Sequence, residues 1–270
     1  MKHLGRLSAV IIYTFLYAPL LVMVFFSFNE SKSTSVFTGF SLKWYRELFA
    51  SSGTMTALKN TLILALASAV IATLLGTLAA VGIYNMRSKW AKGLMLNVTN
   101  IPMMNPDIVT GVSLMLLFVF IGRLVGAGTS LSFWTLLIAH VTFNLPYVIL
   151  NVLPKLRQTD PHLIEAAEDL GCHPVKAFTE AVLPSITPGI FSGFLMAFTL
   201  SIDDFVISYY TNGSDYQTLP LMIYAMTRKK VKPDMYALSS LIFITVLVLL
   251  IVINVAQARS EKAAKNQKNI

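Results

Sequence analysis

Residues 61–84 read TLILALASAVIATLLGTLAAVGIY, an apolar stretch in which no side chain carries a charge. A helix needs about 20 such residues to cross a bilayer, because its backbone groups must hydrogen-bond within the segment. The stretch therefore predicts a membrane-spanning helix, and five further apolar segments of comparable length occur in the chain. The six predicted spans are residues 7–28, 57–84, 93–121, 131–153, 184–210 and 237–258.

The composition of the whole chain agrees with these spans. Of its 270 residues, 55% are hydrophobic and 13% are charged, and the mean hydropathy is +0.67. Soluble domains are about one-quarter charged, so the composition excludes a soluble domain. The first apolar segment is longer than the core of a signal peptide, which is about 7–15 residues, and it is predicted to stay in the protein as a helix. The expected fold class is therefore all-α integral membrane, with six transmembrane helices.

The basic residues lie between the apolar segments and in the tails. An even number of spans places both termini on one side of the membrane. That side is expected to be the cytoplasm, because twelve of the 21 Lys and Arg residues then lie inside. The net charge of +8 does not indicate nucleic acid as a partner, since these basic residues form no patch with interleaved aromatic rings.

A stripe of small residues marks one face of the second predicted span. Small side chains let two helices in lipid approach closely. The face is predicted to pack either on another span of this chain or on a span of a partner chain. The stripe consists of Ser68, Ala72, Gly76 and Ala80.

The predicted loop between the fourth and fifth spans, residues 155–184, contains a short helix bracketed at both ends. Asp160 is a good N-cap, and Gly171 is suited to end the helix in the left-handed conformation. A second short helix is predicted for residues 174–183, and Pro184 opens the fifth span. The first helix is either a solvated loop helix or a docking surface. Its apolar face comprises Leu163, Ala166, Ala167 and Leu170.

The same loop resembles the EAA loop of the permeases of ABC importers. The motif is Glu165-Ala166-Ala167, three residues, Gly171, and then Leu183-Pro184; Ala181 stands where the motif has Ile, which removes one apolar contact and keeps the spacing. The resemblance implies the type I ABC importer permease (MetI-like) fold, with cytoplasmic coupling helices and both termini in the cytoplasm. It assigns the contact with an ATPase to Glu165, Ala166, Ala167, Gly171, Leu183 and Pro184.

The resemblance also implies partners and a location. An importer of this family works in the bacterial inner membrane with a second homologous permease subunit, two ATPase subunits and an extracytoplasmic solute-binding protein. The chain has no Walker sequence, so ATP and Mg²⁺ are expected on the partner ATPase. No cofactor and no metal are expected in this chain.

Three further segments resemble the spermidine/putrescine permeases of this family. They are Pro106-Asp107-Ile108-Val109, residues 200–206 and Leu219-Pro220-Leu221. The resemblance implies a polyamine cargo. Permeases for iron, thiamine or phosphonate share the overall layout and remain alternatives.

Three carboxylates, of Asp107, Asp203 and Asp204, lie inside predicted spans, where a charge costs about 2.5–3.5 kcal/mol. A path for a polycation needs separated anionic sites of modest strength. The carboxylates are therefore predicted to line the path, together with the rings of Phe205 and Tyr209, which can hold a cation on their faces. Counted along the helices, Asp107 would lie near the middle of the third span and the other two toward the outer mouth. The alternative is a structural role, in which the carboxylates cap broken helices and the rings pack.

Two other classes of membrane protein remain as alternatives. An intramembrane enzyme would use His140, in the fourth predicted span, with the carboxylates. An ion-coupled secondary transporter would use the carboxylates alone. Neither class explains the EAA loop, and the four histidines show no metal-ligand spacing. A packed, hydrogen-bonded role is favoured for His140.

Overall fold

The computed structural model describes residues 2–31, 36–126, 128, 131–160, 162–214, 216–228 and 233–268. Six helical segments of this part of the chain are long and apolar enough to cross a membrane, which confirms the predicted all-α membrane fold. A π-helical turn, Phe178–Val182, joins the helices Pro174–Ala177 and Leu183–Asp203. The α-helices are α1 (Lys2–Phe26), α2 (Lys43–Ala50), α3 (Ser52–Asn85), α4 (Lys89–Met104), α5 (Asp107–Leu124), α6 (Phe133–Gln158), α7 (Leu163–Asp169), α8 (Pro174–Ala177), α9 (Leu183–Asp203), α10 (Val206–Thr211), α11 (Leu219–Thr227) and α12 (Pro233–Lys268).

The first of two compact units comprises Met1–Lys59 and Leu221–Leu250. In this unit the segment that follows α1 is fixed by Asn29, whose side-chain amide donates to the carbonyl of Val36 at 2.8 Å. The indole N–H of Trp44 donates to the carbonyl of Asn29 at 2.7 Å. The two bonds tie α2 to the end of α1.

The second unit, Asn60–Pro220 with Ile251–Ile270, contains the core that positions the candidate site. The predicted stripe of small residues on α3 is buried in this core. A Cβ atom on Gly76 would lie 2.7 Å from Cγ1 of Val148 on α6, so α3 and α6 are in close contact at this point. The stripe therefore packs on another span of this chain and not on a second chain.

Two glycines let α9 approach α6 closely. A Cβ atom on Gly189 would lie 2.9 Å from the carbonyl oxygen of Asn151, and one on Gly193 would lie 3.3 Å from Cα of Val148. Small residues four positions apart allow such an approach between helices in a membrane. The contact holds α9 against α6 over this stretch.

The structure divides the predicted third span, residues 93–121, into α4 and α5. Asn105 follows α4 with an extended backbone, at ψ 142°. Pro106 explains the break, because a helical conformation is disfavoured for the residue before a proline. Asp107 consequently begins a helix and does not lie inside one, so the depth counted from residue 93 does not apply to it.

The boundary between the predicted loop and the fifth span also differs from the expectation. Pro184 lies in the first turn of α9, as predicted, but α8, the π-helical turn and α9 form one helical stretch from Pro174 to Asp203. Since Pro184 has no N–H, the carbonyl of Glu180 has no α-helical donor. A wider turn is a common way to accommodate such a defect.

Candidate functional site

The helical stretch of the fifth span breaks near its end. α9 ends at Asp203, Asp204 has an extended backbone (φ −63°, ψ 123°), and α10 begins at Val206. The last carbonyls of α9, which form the negative end of its dipole, therefore face the gap. Irregular backbone at membrane depth is tolerated where it is buried in protein or lines a water-filled cavity. The gap is thus the candidate site.

The side chain of Asp204 is buried at this gap, where it is 7% exposed. Oδ2 accepts the N–H of Ser208 at 2.8 Å, and Oδ1 accepts the N–H of Ile207 at 3.3 Å. These N–H groups belong to the first turn of α10, where the helix offers them no partner. Asp204 therefore caps α10, which is the structural role that the sequence left open.

His140 on α6 lies beside the same carboxylate and is fully buried. Its Nε2 is 3.5 Å from Oδ2 of Asp204 and 3.0 Å from Oγ of Ser208. Its Nδ1 is 3.2 Å from Oγ of Ser201, which also accepts a hydrogen bond from Asn144 at 2.7 Å. The sequence favoured a hydrogen-bonded His140 but did not identify its partners. The available signal was the spacing of His140 and Asn144, four residues apart on one face of an apolar helix.

Asp203, in contrast to its neighbour, is exposed. The ring of Tyr209 is 48% exposed, and its centroid lies 5.6 Å from that of Phe205. A charge that faced lipid would cost about 2.5–3.5 kcal/mol, so this side of the gap is expected to face water. Aromatic rings can hold an organic cation on their faces, and these two lie two and six residues after the carboxylate of Asp203 in the chain.

Asp107 comes to the same region from another helix. It is the first residue of α5 and is exposed. One turn later, a Cβ atom on Gly111 would lie 3.1 Å from the ring of Tyr210 and 3.5 Å from the carbonyl of Val206. The start of α5 is therefore close to α10 and to the gap before it. Among the described residues, no group of three or more His, Cys, Asp or Glu side chains could hold a metal ion.

The predicted loop helix is present as α7, and Gly171 ends it as predicted. Gly171 has φ +85°. Its N–H donates to the carbonyl of Glu168 at 2.8 Å, and the N–H of Cys172 donates to the carbonyl of Ala167 at 3.1 Å. This pair of bonds is the Schellman motif. The helix begins later than expected: its N-cap is His162, and Asp160 accepts the N–H of His162 at 3.0 Å.

The exposed side of this loop carries apolar groups. Leu170 is 87% exposed and Val175 is 66% exposed, while Glu165 and Ala166 are also exposed. Ile164, which the predicted apolar face did not include, packs against the core of the second unit. α7 is thus anchored by Ile164, and Leu163 and Ala167 are also partly covered, while the opposite side of the helix is exposed. Val175 is a part of this surface that the motif did not indicate.

A polar pair lies at the start of α7. Nδ1 of His162 is 2.9 Å from Oε2 of Glu165, and both side chains are exposed. The hydrogen bond and the negative charge of Glu165 raise the pKa of His162 above its ordinary value, and the more distant Asp160 adds to this shift. The pair is local to the loop, since the two residues are three positions apart.

Comparisons with known sequences give a consistent result. The sequence profile described as "binding-protein-dependent transport system inner membrane component" matches residues 72–266. The chain is 40% identical to the putrescine transport system permease protein PotI of Escherichia coli strain K12, over 93% of this chain and 89% of that protein. It is 37% identical to the spermidine/putrescine transport system permease protein PotC of the same strain, over 89% of this chain and 88% of that protein.

Solved structures show the same fold at low sequence identity. A bacterial ABC transporter involved in the import of the acidic polysaccharide alginate matches 97% of this chain and 95% of its own, with a TM-score of 0.70 and 18% identity. The MetNI methionine ABC transporter, in an inward-facing conformation, matches 80% of this chain and 98% of its own, with a TM-score of 0.55 and 16% identity. At such identities the likeness concerns the fold.

Proposed function

Because the chain belongs to the family of inner membrane components of binding-protein-dependent transport systems, we propose that it is one permease subunit of an ATP-driven importer of polyamines such as putrescine and spermidine. Membership of this family makes the chain a multi-pass inner membrane subunit of a transporter and not an enzyme. It also implies a partner permease, an ATPase and a binding protein. The cargo is taken from the names of the two Escherichia coli relatives and is argued below from the residues of this chain.

The observation that carries the cargo proposal is the exposed carboxylate of Asp203 at the end of α9. The C-terminal end of a helix carries a partial negative charge, which attracts cations. Asp203 adds a full negative charge at the same place. Discontinuous transmembrane helices provide ion and substrate sites in other transporters for the same electrostatic reason.

A second carboxylate extends this site in the proposal. Asp107, at the start of α5, is exposed and lies one turn before the contact of Gly111 with α10. Polyamines carry several ammonium groups separated by methylene chains, so two distinct carboxylates and the rings of Phe205 and Tyr209 offer them separate contacts. Each contact must be weak for the cargo to leave again. The partner permease would supply the other wall of the path.

The α7 loop is proposed as the surface that docks on the ATPase. Leu170 and Val175 expose large apolar side chains, and an exposed apolar patch with a polar rim is typical of a protein interface. The small side chain of Ala166 leaves a surface on which another backbone can lie closely. Glu165 adds negative charge at the edge of the patch. Leu183 and Pro184, at the start of α9, would transmit movement of the docked loop to the helix that ends at the cargo site.

This arrangement fixes the proposed orientation in the membrane. The loop with α7 must lie in the cytoplasm to meet an ATPase, and an even number of spans then places both termini in the cytoplasm. ATP binding can shift the path between inward- and outward-facing states only if the docking energy differs between the two states. The permease would therefore alternate access to the Asp203 site without performing any chemical step.

Uptake of labelled polyamine by the purified importer tests this proposal. The importer is isolated through a tag on this chain, together with the partners that co-purify, and is placed in proteoliposomes. Asp203→Asn removes the charge and keeps the shape, so we expect uptake of putrescine and spermidine to fall by about tenfold, the usual loss for one charge-assisted contact. ATP hydrolysis stimulated by the loaded binding protein should persist.

The control for this experiment is a carboxylate outside the proposed path. Glu47 forms an exposed pair with Lys43 on α2, in which the two atoms are 3.9 Å apart. Glu47→Gln should leave uptake unchanged. Normal uptake by the Asp203→Asn importer would refute the cargo site, and uptake driven by an ion gradient without ATP would refute the importer.

A further inference from the structure

Six buried polar side chains meet in the apolar core beside the α9–α10 gap. They come from three parts of the chain that are distant in sequence, namely α3, α6 and the region around the break between α9 and α10. Hydrogen bonds of 2.7 to 3.2 Å join them. Within a membrane, buried ionisable residues are costly and usually have a function. We name this group the His140 cluster. It consists of Ser68, His140, Asn144, Ser201, Asp204 and Ser208.

The imidazole is the connection between the two halves of the cluster. With a proton on Nε2, the ring donates to Oγ of Ser208, and Nδ1 accepts from the hydroxyl of Ser201. Nε2 also lies 3.5 Å from the carboxylate of Asp204, which its N–H dipole stabilises. A neutral imidazole has one donor and one acceptor, and both are used here. Ser201 belongs to α9 and Ser208 to α10, so one ring bridges the two helices across their break.

The position of Asp204 depends on this bridge. A buried carboxylate needs hydrogen-bond donors, and the first-turn N–H groups of Ile207 and Ser208 supply two. Nε2 of His140 approaches from α6, which does not belong to the broken helix. The imidazole therefore determines how α10 is set against α6. Asp203 directly precedes Asp204 in the chain, so a change in the backbone at Asp204 also moves Asp203, whose side chain is exposed whereas that of Asp204 is buried.

We infer that His140 is a positioning residue of the cargo path: it holds Asp204 as an internal cap and so keeps Asp203 directed at the cargo. The inference rests on the proposed function, since it assigns the cargo contact to Asp203. It gives the two adjacent carboxylates different roles: Asp203 contacts the cation, and Asp204 maintains the gap between α9 and α10. His140 itself does not touch the cargo.

Two amide substitutions distinguish the contributions of the two ring nitrogen atoms of His140. The amide of His140→Gln reaches the place of Nε2 and keeps a donor for Asp204 and Ser208. The amide of His140→Asn reaches only the place of Nδ1 and keeps the bond to Ser201. The two variants are similar in polarity, so a general effect of replacing histidine in the core would change both.

The measurement is uptake of labelled putrescine per ATP hydrolysed, by the complete importer in proteoliposomes. We expect His140→Asn to lower this ratio by about tenfold, because it removes the hydrogen bond of Nε2 to Ser208 and leaves the buried carboxylate of Asp204 without the neighbouring donor. The loaded binding protein should still stimulate ATP hydrolysis. His140→Gln should retain most of the wild-type ratio. The amount of assembled importer is recorded for each variant, because a folding defect lowers the amount and leaves the ratio unchanged.

Two results would overturn the positioning role. The first is a wild-type ratio for His140→Asn. The second is an equal loss in both variants, which would make the imidazole a general packing element. Asp203→Asn is measured in parallel: if its uptake is normal, the cargo site itself is refuted, whereas a defect of Asp203→Asn with a normal His140→Asn refutes only the positioning role.

Discussion

The α9–α10 gap and the α7 loop are built in opposite ways. At the gap, the side chains of Asp204 and His140 are buried, lie 3.5 Å apart and are both hydrogen-bonded to Ser208 at the start of α10. In the loop, no residue of α7 is buried, and its polar pair, His162 with Glu165, lies at the surface. The gap keeps its geometry through internal hydrogen bonds. The loop has a well-formed helix end and leaves its outer surface for a partner.

The difference shows which kind of substitution each region tolerates. A buried polar network costs free energy as soon as one member is removed, because the remaining groups lose their partners. An exposed helix loses little when a surface side chain changes. Substitutions of the buried residues at the gap should therefore affect the stability of the subunit, and those in the loop should affect the coupling to ATP hydrolysis.

The largest effect is expected for Asp204→Ala. It leaves the N–H groups of Ile207 and Ser208 without their acceptor and removes the carboxylate that lies 3.5 Å from Nε2 of His140. A lost cap and an unsatisfied buried donor together lower the free energy of unfolding by about 2 kcal/mol or more. The thermal midpoint of the purified importer, measured by loss of the assembled complex on heating, should fall.

The matched control is Asp203→Ala, one residue earlier. Asp203 is exposed, so its replacement should leave the thermal midpoint near the wild-type value while polyamine uptake falls. If both variants had the same lowered thermal midpoint, Asp204 would not stabilise the gap more than Asp203 does. A lower midpoint for Asp203→Ala than for Asp204→Ala would contradict the assignment of the two carboxylates.

A smaller effect is expected for Gly171→Ala. Nothing lies within 4 Å of an added Cβ atom, so the cost comes only from the backbone, which has φ +85°. A left-handed conformation costs a residue with a Cβ atom about 1–2 kcal/mol, enough to loosen the end of α7. We expect the permease to assemble normally, whereas polyamine uptake and the stimulation of ATP hydrolysis fall together.

Gly82→Ala provides the comparison for this variant. A Cβ atom at Gly82 also meets nothing within 4 Å, but this glycine lies inside α3, where alanine is favoured. It should leave uptake and ATP hydrolysis unchanged. Normal coupling in the Gly171→Ala importer would indicate that the shape of the α7 end does not matter for docking.

The sequence predicts the loop better than the gap, because the loop is determined locally. Gly171 lies near the helix that it ends, and a single glycine with a positive φ is a familiar signal. The fold class also follows from apolar segments that can be read directly. The later start of α7, at Leu163, is a small departure within the same few residues.

The gap could not be predicted in the same way. His140 and Ser208 are 68 residues apart in the chain, and only the packing of α6 against α9 brings them together. Asp203 and Asp204 are adjacent and chemically identical, so residue type gives no reason to assign one to the surface and the other to the interior. The extended backbone of Asp204 determines that difference. The split at Pro106, by contrast, follows from a local rule and changes the place of Asp107.

The smallest expected effect is on the pKa of His162, which is paired with Glu165 at the start of α7 and is exposed, whereas His140 is buried. Glu165 raises the pKa of His162, so the pair is fully formed below the ordinary pKa of histidine and is lost as the pH rises through the raised value. Glu165→Gln should therefore lower the pKa of His162, as observed by the NMR titration of labelled histidine in the purified importer, with His162→Gln to assign the signal. Asp160→Asn should lower it less, because Glu165 contributes both the hydrogen bond and the nearer charge. An unchanged pKa in the Glu165→Gln importer would mean that the pair does not form in the assembled complex. Since both side chains are exposed, the stability of the subunit should not follow this titration.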